Sequence, residues 1–359
     1  MKAIRTQAIL LGGLMLATAA PAQVPSGYPA DYAQTIADAK REGHVTVWSA
    51  TDRNRVTELI ASFTRAFPGI AVEYLEMETS ELNQRFLADR RAGRQSADIL
   101  WSPAMDLQIK LVNDGYAQSY ASPERARIAP WAVWKNQAWG TTAEPIVMAY
   151  NRRLIDPAAM PKSHDALEKF LSAHPRALSG KIGTYDPERS GSGFLYLMQD
   201  RQATRDLWPL VTGMGALNVR LFSKSEEILR ELSAGRLAIG YNVTGSYALD
   251  ELSRNPDLGV VLPTDYTLVM SRIAMIPTNA HHPAAARLFL DYLLSARGQA
   301  ALAKRGISSV RGDVPVPAGL RQPGAHLRAI RVGPALMVSQ DQLTRRLFLK
   351  RWKRALATR

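Results

Sequence analysis

Three turns rich in serine, threonine and glycine are the part of this sequence best suited to bind a small polar molecule. Ser49 and Thr51 follow one predicted strand, and Ser102 follows a later one. The third turn precedes a predicted helix and consists of Arg189, Ser190, Gly191, Ser192 and Gly193. Backbone N–H groups at the N-terminus of a helix carry partial positive charge and bind anions. We therefore expect these residues to contact an anionic or polar ligand, unless the hydroxyl groups serve only as helix caps.

Further polar residues lie at the ends of predicted strands or beside them. Tyr241 and Asn242 end one strand, and Ser246 opens the helix behind it. Glu144 lies in an extended segment, where it could contact a cationic or hydroxylated part of a ligand. All four are candidate ligand contacts, and packing at the strand end is the alternative for Tyr241 and Asn242. Asp52 is expected to cap the helix that follows it rather than to contact a ligand.

The first turns belong to a regular alternation of predicted strands and helices. A strand at residues 45–48 precedes a helix at 53–67, in which apolar residues recur with the period of an amphipathic helix. Pro68 and Gly69 end this helix. The elements that follow are a strand at 70–75, a helix at 80–92, a strand at 97–101 and a helix at 105–114. This order predicts a parallel sheet, and ligands bind at the carboxyl ends of the strands in such sheets.

The pattern changes near Trp139, and a chain of 359 residues is too long for one comfortable hydrophobic core. We expect an α/β fold with two Rossmann-like lobes joined by a hinge of two segments. The first lobe would comprise residues 24–142 plus 264–359, and the second lobe residues 143–263. The natural crossing points between the lobes are the extended segments at 142–150 and 260–270.

The N-terminus has the features of a cleaved export signal, expected at residues 1–22. Lys2 and Arg5 precede an apolar run at 8–20, and the Ala-Pro-Ala sequence at 20–22 fits the small-residue cleavage pattern. The apolar run is too short to span a bilayer. The sequence has no cysteine, so it has no disulfide, no thiolate nucleophile and no cysteine-based metal site. These features predict a periplasmic protein.

The chain is strongly basic, with a formal net charge of +13. Such a charge favours anionic ligands or surfaces. No helix-turn-helix or zinc-finger spacing is present, so nucleic acid is not an expected partner. A basic amphipathic helix is predicted near residues 341–356. We expect it to pack its apolar face on its own lobe, with contact to a membrane as the alternative.

The order and spacing of several motifs resemble the extracellular solute-binding proteins of ABC importers. The similar group is the two-lobed type II group of periplasmic binding proteins, which holds ferric-ion, organophosphate, phosphonate and thiamine binders. The motifs are VTVWSATD, FPGIAVEY, ADILWS, EPIVMAYN, GTYDPERSGSG, LAIGYNVTGSYA and RGQA, and they cover essentially the whole mature chain. The resemblance implies a monomer without cofactor or catalytic activity, which holds a ligand between its lobes and delivers it to a membrane permease.

The expected ligand is a small anionic solute such as an organophosphate, a phosphonate or a carboxylate. Ferric ion is the first alternative, but the similar ferric-ion proteins supply two adjacent tyrosines where this chain has Tyr241 followed by Asn242. An exported hydrolase using Ser192 or Ser246 is the remote alternative, and it would need a histidine and an acid beside that serine. No metal site is expected, because no histidine has the His-Glu-x-x-His spacing.

Overall fold

The computed structural model describes residues 24–357, so the predicted signal peptide at residues 1–22 lies outside the described part of the chain. The strands are β1 (His44–Ser49), β2 (Ala71–Glu76), β3 (Ile99–Ser102), β4 (Val133–Trp134), β5 (Ala138–Gly140), β6 (Glu144–Asn151), β7 (Ile182–Tyr185), β8 (Arg220–Phe222), β9 (Ile239–Thr244), β10 (Leu258–Val261), β11 (Thr267–Met270), β12 (Ile273–Met275) and β13 (Leu327–Ala329).

Thirteen α-helices connect these strands within the described residues. They are α1 (Tyr32–Glu42), α2 (Arg53–Ala66), α3 (Thr79–Arg91), α4 (Met105–Asn113), α5 (His164–Ala173), α6 (Pro175–Leu178), α7 (Gly191–Ala203), α8 (Trp208–Ala216), α9 (Ser225–Ser233), α10 (Gly245–Leu252), α11 (Pro283–Leu294), α12 (Ala296–Ala303) and α13 (Gln342–Ala357). No helix within residues 24–357 is long and apolar enough to cross a bilayer.

The first sheet has six strands in the order β2-β1-β3-β12-β5-β4. Strand β1 pairs in parallel with β2 and β3, as the alternation of strands and helices predicts, whereas β12 runs antiparallel to both its neighbours. Successive side chains of a strand point to opposite faces of the sheet. Val45 and Val47 therefore join one core with α1, α2 and α11, while Trp48 joins another core with α3 and α4.

The second sheet contains seven strands. Six of them follow the order β13-β11-β6-β9-β7-β8, and β10 pairs with β6. The sheet is mixed, because β6 runs antiparallel to β9, β10 and β11, whereas β7 is parallel to β8 and β9. Every residue of β6 is buried. Helices α5, α7, α8 and α13 share one core with this sheet, and α9 and α10 share another. The prediction of two α/β lobes is thus confirmed.

Two neighbouring segments form the expected hinge between the sheets. The chain leaves the first sheet at residues 141–143 and returns at Ser271 and Arg272. The N–H of Thr141 donates to the carbonyl oxygen of Arg272 at 2.9 Å, and the N–H of Arg272 donates to Thr142 Oγ1 at 2.9 Å. A third segment passes beside them, where Ser309 pairs with Thr142, before the chain reaches β13 in the second sheet.

The C-terminal part of the chain contacts both lobes. The predicted boundaries assign residues 264–359 to the first lobe, but β11 and β13 lie in the second sheet and α13 packs on α8. This contact is close, since a Cβ atom added to Gly215 of α8 would lie 2.6 Å from the Cα atom of Leu356. The 3₁₀ helix Pro334–Gln340 lies instead against α4 of the first lobe, where Ser339 Oγ donates to Asp106 at 3.2 Å.

Candidate functional site

Arg272 lies in the hinge, between β11 and β12, and its side chain is almost fully buried. Its Nε and Nη2 atoms donate to Glu144 at the start of β6, with distances of 2.8 Å to Oε1 and 3.1 Å to Oε2. Nη1 donates to Thr51 Oγ1, 2.7 Å away, in the turn after β1. Burial alone would raise the pKa of Glu144, but the attraction of Arg272 holds it below its usual value. A buried ion pair therefore links the two lobes at the hinge.

A polar cleft lies beside Arg272, between the facing edges of the two sheets. The space between its walls is about 480 Å³ when gaps and open solvent are counted, but only about 40 Å³ of it can hold the centre of a water molecule. The first lobe contributes Ala50, Asp52, Glu76, Met77, Glu78, Thr79 and Pro103 to its lining. The second lobe contributes Tyr185, Ser192, Tyr196, Ser223, Lys224, Ser225, Glu226, Thr244 and Tyr247. Most of these residues lie at strand ends or in first helical turns, as expected for a ligand site in an α/β protein.

Two carboxyl groups from opposite lobes meet in this cleft. Asp52 precedes α2, Glu226 lies in the first turn of α9, and their side chains are hydrogen-bonded to each other. Burial, together with the hydrogen bond and negative charge of Asp52, raises the pKa of Glu226 to about 8. Burial would also raise the pKa of Asp52, but hydrogen bonds from Glu226 and Tyr247 lower it. We therefore expect the pair to share one proton at neutral pH.

Ion pairs hold the two lobes together on both sides of the cleft. Lys224 of the second lobe lies 3.0 Å from Glu78 of the first, measured from Nζ to Oε1. Arg55 of α2 lies 3.2 Å from Asp250 of α10, measured from Nη1 to Oδ2. The Arg55 Nη2 atom also donates to the carbonyl oxygen of Ser246 at 3.0 Å. These contacts define a closed arrangement, in which residues of both lobes touch across the site.

The predicted serines of the first lobe serve mainly their own turns. Ser49 Oγ accepts from the N–H of Thr51 at 3.1 Å, and Ser102 Oγ accepts from the N–H of Ala104 at 3.2 Å. Both serines are buried and neither lines the cleft. Thr51 contacts Arg272 rather than the open space. Asp52 shows the opposite result, since its side chain makes no capping hydrogen bond to α2 and lines the cleft instead.

The glycine-rich turn before α7 is only partly available to a ligand. Ser190 Oγ accepts from the N–H of Gly193 at 3.1 Å and so caps the helix. The N–H of Gly191 donates across the lobes to Thr79 Oγ1 at 3.1 Å. Ser192 is the residue of this turn that lines the cleft. Contact between the lobes therefore uses the N–H of Gly191, one of the groups that the sequence predicted to bind an anion.

Three other predicted contacts also have partners or positions of their own. Glu144 is fully buried and paired with Arg272, and Ser246 Oγ donates to the same carboxylate. Glu144 thus holds Arg272 directly, and Ser246 acts through Glu144. Neither residue lines the cleft. Arg189 is exposed at the surface, and its carbonyl oxygen lies 3.5 Å from Ser80 Oγ of the first lobe.

Tyr241 and Asn242 lie away from the cleft, in a buried network around Asp200 of α7. Tyr241 OH and Asn242 Nδ2 donate to Asp200 Oδ2 at 2.8 and 2.6 Å, and Tyr266 OH donates to Oδ1 at 3.1 Å. Burial raises the pKa of Asp200, although its hydrogen bonds oppose this change. Both residues therefore match the alternative of packing at the strand end better than that of ligand contact, because their side chains donate to Asp200.

Replacing Tyr241 with phenylalanine tests this placement. We expect Tyr241→Phe to leave ligand affinity unchanged and to lower the free energy of unfolding by about 1–3 kcal/mol, since one hydrogen bond to a buried carboxyl is lost. Urea denaturation and ligand titration of the same preparation measure both quantities. A large loss of affinity at unchanged stability would restore Tyr241 as a ligand contact.

Sequence reasoning missed several residues that build the site. Arg272, Lys224, Glu226 and Tyr247 all line the cleft, yet none lies in a turn that the sequence marked as polar. One signal was present for Arg272, which is the single charged residue in the apolar run at 267–276. A charge buried in such a run requires a partner. No comparable signal marked Lys224 or Glu226, which lie in an ordinary charged segment.

Two alternatives from the sequence, a metal site and a serine hydrolase, can be compared with the geometry of the described residues. Among residues 24–357, no group of three or more His, Cys, Asp or Glu side chains is arranged to hold a metal ion. No histidine of the described chain hydrogen-bonds to Ser192 or Ser246; His164 and His282, for example, pair with Asp265 and Asp98 instead.

Comparison with known proteins identifies the family. Residues 58–325 match the family described as bacterial extracellular solute-binding protein. The crystal structure of the substrate-binding protein of the ABC transporter from Agrobacterium tumefaciens is 40% identical to this chain. The similarity covers 87% of this chain and 94% of that one, with a TM-score of 0.82. No curated protein sequence is detectably similar to the chain.

More distant structures share the fold. Iron-bound HitA from Pseudomonas aeruginosa is 18% identical over 87% of this chain and 99% of its own, with a TM-score of 0.70. AfuA from Actinobacillus pleuropneumoniae, solved with fructose-6-phosphate bound, is 16% identical over 86% of this chain and 98% of its own, with a TM-score of 0.74. The chain therefore belongs to the bacterial extracellular solute-binding proteins, a family of non-enzymatic substrate-binding components of ABC transporters.

Proposed function

We propose that this protein binds a small organic solute in the cleft beside Arg272 and delivers it to the permease of an ABC importer. The observation that carries the proposal is the polar cleft itself, which both lobes line and which their contacts close. We further propose that the protein acts in the periplasm as a monomer, after removal of residues 1–22.

The solute that fits this cleft best carries an anionic group. Arg272 lines the inner end next to the hinge, and Lys224 lines the cleft from the second lobe. Three of the five N–H groups of Arg272 are used by Glu144 and Thr51. The others suit a phosphate, phosphonate or carboxylate group, since such anions accept hydrogen bonds from guanidinium groups. Ser192, in the first turn of α7, adds a hydroxyl group to the same cleft.

The rest of the solute should donate hydrogen bonds. Four carboxyl groups line the same cleft, which are Asp52, Glu76, Glu78 and Glu226. They outnumber the two cations, so a simple inorganic anion would meet net repulsion. Hydroxyl groups would donate to these carboxylates. A hydroxylated organophosphate or carboxylate therefore satisfies both halves of the lining, and fructose-6-phosphate, named for AfuA, has this combination of groups.

Ferric ion is the second candidate, favoured by the oxygen donors of the cleft. Tyr185, Tyr196 and Tyr247 line it together with the four carboxyl groups, and Fe³⁺ prefers such hard oxygen ligands. Burial, however, raises the pKa of all three tyrosines, so that formation of a phenolate is costly. A ferric complex would have to overcome this cost, whereas a hydroxylated anion would not.

Solute binding would favour the closed arrangement over an open one. A ligand shifts such an equilibrium only as far as it binds the closed form more tightly. Here Arg272 contacts Thr51 of the first lobe and Glu144 of the second, so a ligand held by Arg272 contacts the hinge directly. The closed form, with Lys224 and Arg55 bridging the lobes, would then be presented to the permease.

A thermal-shift screen tests this function and the solute class. Refolded, ligand-free protein is mixed with hydroxylated phosphates, phosphonates, carboxylates, amines and ferric citrate. A true ligand at about 100 times its Kd adds about 2.7 kcal/mol to the free energy of unfolding and raises the melting temperature. We expect hydroxylated anions to do so. Stabilisation by amines alone would overturn the anionic class, and stabilisation by ferric citrate with uptake of iron would favour the second candidate.

Lys224→Ala localises the binding. Loss of one charge-assisted hydrogen bond should weaken the anion about tenfold or more, as measured by isothermal titration calorimetry. Lys304→Ala is the matched control, because Lys304 is exposed and pairs with Glu58 outside the cleft. Equal affinities for the two variants would contradict binding in this cleft.

A further inference from the structure

Helix α13 presents an outer face that combines exposed leucines with cations. Leu343 and Leu347 are 60% and 56% exposed, and Val338, just before the helix, is 57% exposed. Among residues 24–357, seven large apolar side chains are exposed and only four of them are exposed by more than half, of which these three lie within ten residues of the chain. Leu343 and Leu347 are one helical turn apart and so lie side by side.

The opposite face of α13 is fixed to the second lobe. Phe348 and Trp352 are each 2% exposed and belong to the core that α7 and α8 share with the second sheet. Ring contacts of Phe348 with Phe194 and Trp208 hold the helix in one rotation. The leucines of the outer face cannot turn inward, so they stay at the surface of the folded protein.

Helix α13 carries several cations and no acidic residue. Arg345 lies over the ring of Phe194, Arg351 lies over Trp208, and Lys353 pairs with Glu188 at 2.8 Å. Arg346 and Lys350 are exposed and form no ion pair within the described part of the chain. Residues 343, 346, 347 and 350 follow the spacing of one helix face. We call this set of four residues the basic ridge.

We propose that the basic ridge rests on the headgroup layer of a membrane that contains anionic phospholipids. Arg346 and Lys350 would contact phosphate groups, while Leu343 and Leu347 would enter the boundary between headgroups and acyl chains. A helix face with two cations, two leucines and no acceptor side chain matches a fluid headgroup layer, which supplies anions and apolar carbon without a complementary shape. A protein partner would instead need a matching groove.

The contact would be weak, reversible and sensitive to salt. Two leucines bury less apolar surface than an acyl chain, and a single acyl chain gives only marginal membrane binding. Attraction between cations and an anionic surface falls off within a Debye length, about 8 Å at physiological ionic strength. The protein would therefore be concentrated along the membrane without being anchored there.

Co-sedimentation with phospholipid vesicles tests the proposal. We expect the full-length mature protein to bind vesicles of phosphatidylcholine with phosphatidylglycerol, and not vesicles of phosphatidylcholine alone. The double variant Arg346→Glu/Lys350→Glu should reduce binding by about 30-fold or more. Leu343→Ser/Leu347→Ser should reduce it by about tenfold at unchanged net charge, because the apolar contact is lost.

A matched charge reversal on another surface controls for net charge. Lys169 and Arg176 are exposed on α5 and α6, so Lys169→Glu/Arg176→Glu changes the charge of the protein equally. Equal loss in both charge variants, or equal binding to both vesicle types, would overturn the proposal. Thermal melting of each variant shows that it is folded. The lipid proposal would also be wrong if the wild-type protein did not bind anionic vesicles while Arg346→Glu/Lys350→Glu abolished permease-dependent transport. That result would indicate that the basic ridge binds a protein.

Discussion

Arg272→Met is expected to lower the free energy of unfolding by about 3–5 kcal/mol, the cost of leaving a buried charge without its partner. Glu144 is 0% exposed, and its remaining side-chain donors would be the hydroxyl groups of Ser246 and Thr142. The substitution also removes the hydrogen bond to Thr51 of the first lobe. Because Arg272 lines the cleft as well, we expect the variant to lose detectable solute binding even at temperatures where it remains folded.

Urea denaturation of single and double variants separates the charge from the packing. Arg272→Met/Glu144→Leu removes both charges and should recover much of the loss, since an apolar pair can replace a buried ion pair at little cost. Lys110→Met is the control, because Lys110 and Asp114 form an exposed pair at 2.6 Å whose contribution is below about 1 kcal/mol. A single Arg272→Met variant as stable as this control would show that the hinge ion pair contributes nothing.

The second large effect is on the pH dependence of stability. The pKa of Glu226 is raised from 4.5 to about 8 by burial and by Asp52, so the folded protein binds a proton that the unfolded chain lacks in this window. Stability must therefore fall as pH rises from 4.5 towards 8, by up to about 1.4 kcal/mol per pH unit. Opening of the cleft separates the two carboxyl groups, so rising pH should favour the open form as well.

Glu226→Gln should remove this part of the pH dependence. The amide can still donate a hydrogen bond to Asp52 but does not ionise, so the variant should exceed the wild type in stability at the alkaline end of the window. Urea midpoints measured at several pH values give both curves. Burial also raises the pKa of Asp291, to about 7, but this contribution is common to both proteins and cancels in the difference.

Glu168→Gln serves as the control for the pH experiment. It changes the same type of residue on α5, where the side chain takes part in no ion pair among the described residues. Its curve should parallel that of the wild type. If the curve of Glu226→Gln were also parallel to the wild type, the shared proton between Asp52 and Glu226 would be ruled out.

The helices and strands of the first lobe could be predicted because each is specified by residues that are close together in the sequence. The predicted helix at 53–67 corresponds to α2, and the predicted strands at 45–48 and 70–75 correspond to β1 and β2. Each element has its own periodicity and its own stop signal, such as Pro68 and Gly69 after α2. The helix near 341–356 was also predicted, but its amphipathic pattern specifies only a buried face and not the lobe that covers it.

The site was less predictable because it depends on contacts between distant segments. Asp52 meets Glu226, and Arg272 meets Thr51, across the two lobes. A turn motif shows which N–H groups a loop offers, but not whether the other lobe occupies them. Thr79 accepts from Gly191 in this way. Ser192 was predicted from the sequence as a ligand contact and lines the cleft, whereas Ser49 and Ser102 have the same local signal and serve their own turns.

The position of α13 also determines when the core of the second lobe can be completed during synthesis. The core of the second lobe is built from the middle of the chain, yet Phe348 and Trp352 in the last helix complete it. During synthesis that core stays incomplete until Phe348 and Trp352 have been made. A premature stop just before α13 would therefore leave an apolar surface of the second lobe exposed. Such a product should aggregate or be degraded rather than persist as a shortened binding protein.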